Sequence, residues 1–250
     1  MLRITLCLLL LTLMWTGCSD DPVSPPELIV SEPLAIPLAV GNTWVHTLHR
    51  EQHIFNEERT QELFDPTIQD AMSYKEIVGI ETILDVEYMT EREVFVLDGI
   101  DSTVSWRRFR QDKDGFYRAK VRLGWAFGNL PPFESMDEFR RLSYPLAVDA
   151  TWETNDGSRR ATVEAVEDVE TASGVTQAYR ILVKSDDPED MNWTRVWYGR
   201  CGLVRRHDHQ GFFAHDAGNN TTVLFEIDLV EEIEAVTLEE DGCVFAPFTE

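Results

Sequence analysis

The sequence predicts an all-β fold: a curved antiparallel sheet, or half-barrel, of about ten strands with one or two short helices. Three observations lead there. Apolar and polar residues alternate with period two over most of the chain from Trp44 onward, as in strands with one wetter face. Turn-forming residues punctuate these runs at Asp98-Gly99, Asp112-Lys113-Asp114-Gly115, Asn155-Asp156-Gly157, Ser173-Gly174 and Gly218-Asn219-Asn220. Helix signals are few.

The runs place strands near 44–55, 73–84, 86–97, 103–111, 116–123, 150–154, 159–170, 175–185, 192–199 and 202–209, with a last one at 221–233. In the last, Val223, Phe225, Ile227 and Leu229 alternate with Thr222, Leu224, Glu226 and Asp228. Val175, Tyr179, Ile181 and Val183 share one face, as do Trp193 and Trp197. Val163, Val166 and Val169 have helix-like spacing, but their β-branched character and flanking turns favour a strand with a bulge. Two short helices are expected. Ser135-x-x-Glu138 reads as a capping box opening a turn through Phe139 to Leu142, stopped by Pro145. Asn56 to Phe64 is the second, ended by Asp65-Pro66.

Composition sets limits on function. The chain has 250 residues, 43% hydrophobic and 27% charged, an ordinary globular balance. With 22 Lys and Arg against 45 Asp and Glu, the net charge is −23. That argues against nucleic acid as a partner, which needs a basic footprint. It also argues against docking of the folded body on an anionic lipid surface.

The N-terminus reads as an address. Arg3 precedes a ten-residue uncharged run, Ile4–Leu13, too short to span a bilayer and suited to a signal-peptide h-region. Thr16-Gly17-Cys18-Ser19 follows and resembles the lipobox of bacterial lipoproteins, although Trp15 stands where that pattern has an aliphatic residue. The resemblance implies cleavage after residue 17 and acylation of Cys18, and Ser19 in place of Asp implies the outer membrane of a Gram-negative cell. Ordinary cleavage and secretion is the alternative. Residues 18–37 hold five of the chain's 11 prolines and read as a semi-rigid tether to a β domain over 38–250. Cys201 and Cys243 remain as an even pair in an oxidising compartment, and a bridge between them is expected. Closing a loop of about forty residues is worth roughly 4 kcal/mol in the chain-entropy picture.

One segment occurs twice. Ile36-Pro37-Leu38-Ala39-Val40-Gly41-Asn42-Thr43-Trp44 recurs as Tyr144-Pro145-Leu146-Ala147-Val148-Asp149-Ala150-Thr151-Trp152. The expectation is two related β-units, about 38–143 and 144–233. Leu38, Val40, Leu146 and Val148 would be core residues, with Trp44 and Trp152 each starting a strand. These segments, with Val196-Trp197-Tyr198-Gly199-Arg200-Cys201-Gly202-Leu203-Val204, resemble a loose group of uncharacterised bacterial lipoproteins. That group carries a repeated Pro-Leu-x-Val-Gly-x-x-Trp segment and a late Gly-Leu-Val motif. The chain departs from the pattern at Asp149 and at Cys201. The resemblance implies a curved antiparallel sheet, comparable to the half-barrels of periplasmic lipoprotein carriers, and implies no activity.

Candidate sites are sparse. His207 and His209 share a strand face and form a weak metal pair, with Arg205 and Arg206 opposing a cation; a solvated strand end is the simpler reading. Asp112-x-Asp114-Gly115 reads as a hairpin turn rather than a calcium loop. Trp106, Trp125, Trp193 and Trp197 would line the concave face if that face holds an apolar ligand, and would otherwise be core. No catalytic motif occurs, and no cofactor is expected. The reading is a lipid-anchored cell-envelope protein with a non-enzymatic structural, binding or assembly role. The alternative is a periplasm-facing carrier of a lipid or other apolar ligand, and the third a hydrolase. Expected partners are the membrane, through the N-terminal lipid only, and either an apolar ligand or an envelope protein.

Overall fold

A computed structural model describes residues 34–97, 100–124, 133–154, 157–216 and 221–238, all within one compact unit, Pro33–Glu250. Twelve strands follow one another: β1 (Thr43–Asn56), β2 (Thr67–Ile83), β3 (Val86–Leu97), β4 (Ile100–Asp112), β5 (Gly115–Gly124), β6 (Phe133–Ser143), β7 (Thr151–Thr154), β8 (Arg159–Thr171), β9 (Gly174–Lys184), β10 (Trp193–Gly199), β11 (Gly202–Asp216) and β12 (Thr221–Thr237). They form a single antiparallel sheet in the order β6-β5-β4-β3-β2-β1-β12-β11-β10-β9-β8-β7. Each neighbour pair but one is a sequence neighbour, and the exception, β1 with β12, joins the two chain ends. The edge strands β6 and β7 approach each other, so the sheet curls into a nearly closed barrel with one seam.

Each half is a six-stranded meander, β1–β6 and β7–β12, and the repeated segment opens both. Its backbone does the same work twice. In the first copy Asn42 N donates to Ala39 O at 3.1 Å, Gly41 N to Ile77 O at 2.8 Å, and Ile77 N to Asn42 O at 2.9 Å. In the second, Ala150 N donates to Ala147 O at 3.0 Å, Asp149 N to Val163 O at 2.9 Å, and Val163 N to Ala150 O at 3.0 Å. Both turns therefore clip onto the second strand of their half. Both of those strands slip register just beyond the clip, between Ile77 and Gly79 and between Val163 and Ala165. Gly41 and Asp149 hold positive φ, 96° and 69°, which is why Gly or Asp stands there.

Several expectations are corrected. Residues 135–142 are not helical but belong to β6, paired with β5 along its length. The Glu138 carboxylate accepts from Arg110 Nε at 2.6 Å and Nη2 at 2.7 Å instead of capping a helix. Residues 56–64 are a turn in which Asn56 Oδ1 accepts from Thr60 N and Gln61 N. The tether does not reach residue 37, because Leu34 and Ile36 are buried in the main apolar cluster with Phe109, Phe116, Leu142, Leu146, Trp152 and Ile181. Val40 and Val148 are not core: they are 47% and 50% exposed. Each sits at the turn corner, where the chain reverses and points the side chain away from the packed Leu two residues earlier.

Candidate functional site

Inside the curl, strand alternation places charged side chains where a small barrel would hold only apolar ones. A cavity of about 90 Å³ opens there. One wall is apolar, formed by Ile36 and Leu38 of the entering chain, Phe109, Phe116, Val196 and Leu203. The other is ionic, with His46, Lys75, Glu91, Arg107, Arg118, Arg141, Arg206 and Glu231 on eight different strands, β1 to β6, β11 and β12.

Most of these charges are matched. Lys75 pairs with Glu231, and its Nζ lies 3.8 Å from Glu93. Arg107 Nη1 lies 3.4 Å from Glu91, and its other nitrogen pairs with Glu93. Glu93 also accepts from Ser73 Oγ at 2.7 Å and Ser105 Oγ at 3.0 Å. Arg206 pairs with Asp208 and reaches Glu231 at 4.0 Å. The His46 ring, 1% exposed, bonds the Leu203 carbonyl through Nε2 at 3.1 Å. Arg118 and Arg141, on the adjacent strands β5 and β6, differ: among the described residues neither has a carboxylate within ion-pair distance.

Burial sets the titration of this cluster. Loss of hydration, helped by Lys75, lowers His46 to about 4. Burial pushes Glu231 up, but Lys75 outweighs it and holds the carboxyl at about 2. Burial raises Glu91, whereas Lys75 and Arg107 overcome burial and lower Glu93. Burial and then the neighbouring Arg107 and Arg141 pull Arg118 down to about 10; burial lowers Arg141 too. At neutral pH His46 is therefore uncharged and Glu231 charged.

The residues singled out from the sequence fall mostly elsewhere. Trp44 and Trp152 are 6% and 7% exposed, each the second residue of its strand. Trp44 borders the cavity and donates from Nε1 to the Cys201 carbonyl at 2.7 Å. Trp152 Nε1 is buried with no hydrogen-bond partner. Leu146 is in the main cluster and Leu38 packs against it. Trp106, Trp193 and Trp197 do not line the cavity. Period two turns Arg107 and Val196 inward and therefore Trp106 and Trp193 to the opposite face, whereas Trp197 is buried in an apolar cluster with Trp44, Ile77 and Val204. Trp106 is 54% exposed. Trp197 donates to Glu167 at 2.7 Å. Trp193 lies against His207 and His209, with ring centroids 4.8 and 5.4 Å away. Both histidines bond Asp228, at 2.9 and 3.1 Å, and the described residues contain no cluster of three or more metal-ligating side chains. Asp112 Oδ1 accepts from Asp114 N and Gly115 N, closing the hairpin turn. Cys201 is fully buried. Cys18, Trp125 and Cys243 lie outside the described residues.

The sequence reading missed the ionic wall. Arg107, Arg118, Arg141 and Arg206 occupy polar phases of amphipathic strands, which normally face water. The available signal was charge on both phases of β4, β6, β11 and β12, where Arg107-Arg108, Arg140-Arg141, Arg205-Arg206 and Glu231-Glu232 are adjacent.

No protein-family model matches the chain, and no curated protein matches it. Two solved structures are similar. One is a candidate lipoprotein from Parabacteroides distasonis ATCC 8503, 11% identical, with 81% of this chain and 97% of that chain covered and a TM-score of 0.41. The other is a candidate exported protein with a YmcC-like fold from Bacteroides fragilis NCTC 9343, 8% identical, covering 82% of this chain and 100% of that one, with a TM-score of 0.40.

Proposed function

We propose that this protein is a non-enzymatic binding protein of the bacterial cell envelope, anchored by lipid on Cys18, which holds a small ligand inside its barrel-like sheet. The observation that carries the reading is the interior cavity, walled by apolar side chains on one side and by a buried ionic cluster on the other. Its size favours a small ligand over an acyl chain, since pockets for drug-sized and lipid ligands run to about 300–1,000 Å³. The address rests on the h-region and Thr16-Gly17-Cys18, and Ser19 favours the outer membrane. A Cys201–Cys243 bridge belongs to the same reading, supported by the burial of Cys201 and its disulfide-bonded state.

Native mass spectrometry of the purified full chain tests the binding reading. A bound mass of small-molecule size is expected on the wild type and absent from Val196→Phe, which fills the cavity from its apolar wall. A wild type that carries no bound mass, and takes up none from a periplasmic extract, overturns the reading.

A further inference from the structure

We propose that the ligand is an oxyanion on a short apolar body, its charged group held by Arg118 and Arg141, which line the same interior cavity with no carboxylate among the described residues within ion-pair distance. This rests on the binding reading above and names the chemistry of its ligand.

Five cations border the cavity, and three of them, Lys75, Arg107 and Arg206, have carboxylate partners in Glu231, Glu93, Glu91 and Asp208. Arg118 and Arg141 have neither an ion pair nor a hydrogen bond among the described residues. A buried charge without a partner is costly. The chain is not short of carboxylates, with 45 acidic residues against 22 basic ones, yet among the described residues none lies within ion-pair distance of these two, and Glu91 and Asp208 act on them only from farther off. Other arginines lie near them: Arg118 feels Arg107 and Arg141 alongside Glu91, and Arg141 feels Arg206 and Arg107 alongside Tyr198 and Asp208. Arg206 adds an Nε that is buried without a hydrogen-bond partner. A cluster of guanidinium groups with unused donors is matched by the paired oxygens of a carboxylate or phosphate.

The rest of the wall sets the body of the ligand. Phe109 and Phe116 stack with centroids 5.2 Å apart, and Val196, Ile36 and Leu38 add further apolar lining to the same cavity. A volume of about 90 Å³ is well below the roughly 300–1,000 Å³ of pockets for drug-sized ligands, which favours an acid with a short chain over an acyl lipid. Non-specific attraction would not bring an anion to this cavity, because the molecule as a whole carries −23 and repels anions at long range.

The test is thermal unfolding of the full-length protein in detergent, after dialysis, with sodium butyrate against butyramide at matched sodium chloride. Butyrate is expected to raise the melting temperature by several degrees and butyramide, its uncharged isostere, to leave it unchanged. Arg118→Met and Arg141→Met are expected to melt at least as high as wild type without ligand, because each removes a half-buried charge that has no ion pair among the described residues, and to lose the butyrate response. Arg118→Lys and Arg141→Lys keep the charge but lose the planar fork, and are expected to weaken the response without abolishing it. Equal stabilisation by butyramide overturns the oxyanion inference and leaves the binding reading standing. So does a butyrate response that survives in both methionine variants, or a wild type that ignores butyrate yet carries a bound mass of another kind. A wild type with neither response nor bound mass overturns both.

Discussion

At the scale of single residues, the interior cluster ties stability to pH. His46 is neutral in the folded chain down to about pH 4, whereas an unperturbed imidazole takes up its proton near 6.5. Between those values the unfolded chain binds more protons than the folded one, so stability falls as pH drops from 6.5 to 4. Glu231 continues the loss. Its carboxyl stays charged in the fold to about 2, against a usual 4.5, so protonation of the unfolded chain draws the equilibrium away from the fold between 4.5 and 2. Glu91 acts in the opposite sense: burial raises it, so the fold takes up that proton more readily and regains some stability as pH falls. A shift of His46 from 6.5 to about 4 corresponds to about 3 kcal/mol at most, at 1.36 kcal/mol per pH unit. Urea midpoints of the wild type should therefore fall between pH 6.5 and 4, and His46→Gln, which cannot titrate, should flatten that limb. An identical slope in the variant shows that the acid sensitivity arises elsewhere.

At the scale of elements, the repeated turn makes a sharper experiment than either tryptophan alone. Gly41 and Asp149 occupy equivalent corners with φ of 96° and 69°, and their amides make equivalent bonds to Ile77 and Val163. Asp tolerates the left-handed region better than most residues but still bears a cost that Gly avoids. Asp149→Gly should raise stability by about 0.5–1 kcal/mol, and Gly41→Ala should lower it by about 1 kcal/mol or more. Chemical denaturation of the two variants reads both signs, and a destabilised Asp149→Gly means the Asp side chain contributes something its backbone does not. The turn was legible in the sequence because six residues recur at fixed offsets. Most strands were legible too, since period-two alternation and Gly-containing hairpins act locally. β6 was not, because Ser135, Glu138, Phe139 and Leu142 also satisfy a helix start; pairing with β5 decides between the two states, and that contact is not local. The site escaped for a related reason. Alternation tells which residues share a face but not which face turns inward, and Arg118 and Arg141 gain their meaning only when β5 and β6 curl over β11 and β12.

At the scale of the molecule, the sheet has two free edges, β6 and β7, meeting at a seam, and a surface charge that no anionic membrane attracts. In the proposed reading, what holds such a body at a membrane is the lipid on Cys18 alone. None of the described residues forms a helix long and apolar enough to cross a membrane. A net charge of −23 gives repulsion from anionic headgroups within a screening length of about 8 Å at physiological salt. Against this, each buried methylene of an acyl chain contributes about 0.8 kcal/mol, so two or more chains hold effectively permanently while one holds marginally. The attachment should therefore be indifferent to salt and wholly dependent on one sulfur. In detergent phase partitioning, the wild type should enter the detergent phase and stay with membranes through a high-salt wash. Cys18→Ser should accumulate uncleaved, or appear in the aqueous phase once its leader is removed by another route, with its urea midpoint unchanged because the barrel is untouched. A processed, folded Cys18→Ser protein that remains in the detergent phase would place the attachment on the folded body, and the acidic surface would then need a partner protein to explain it. A wild type found in the aqueous phase from the start would make the protein a secreted one, with Cys18 an ordinary residue near its N-terminus.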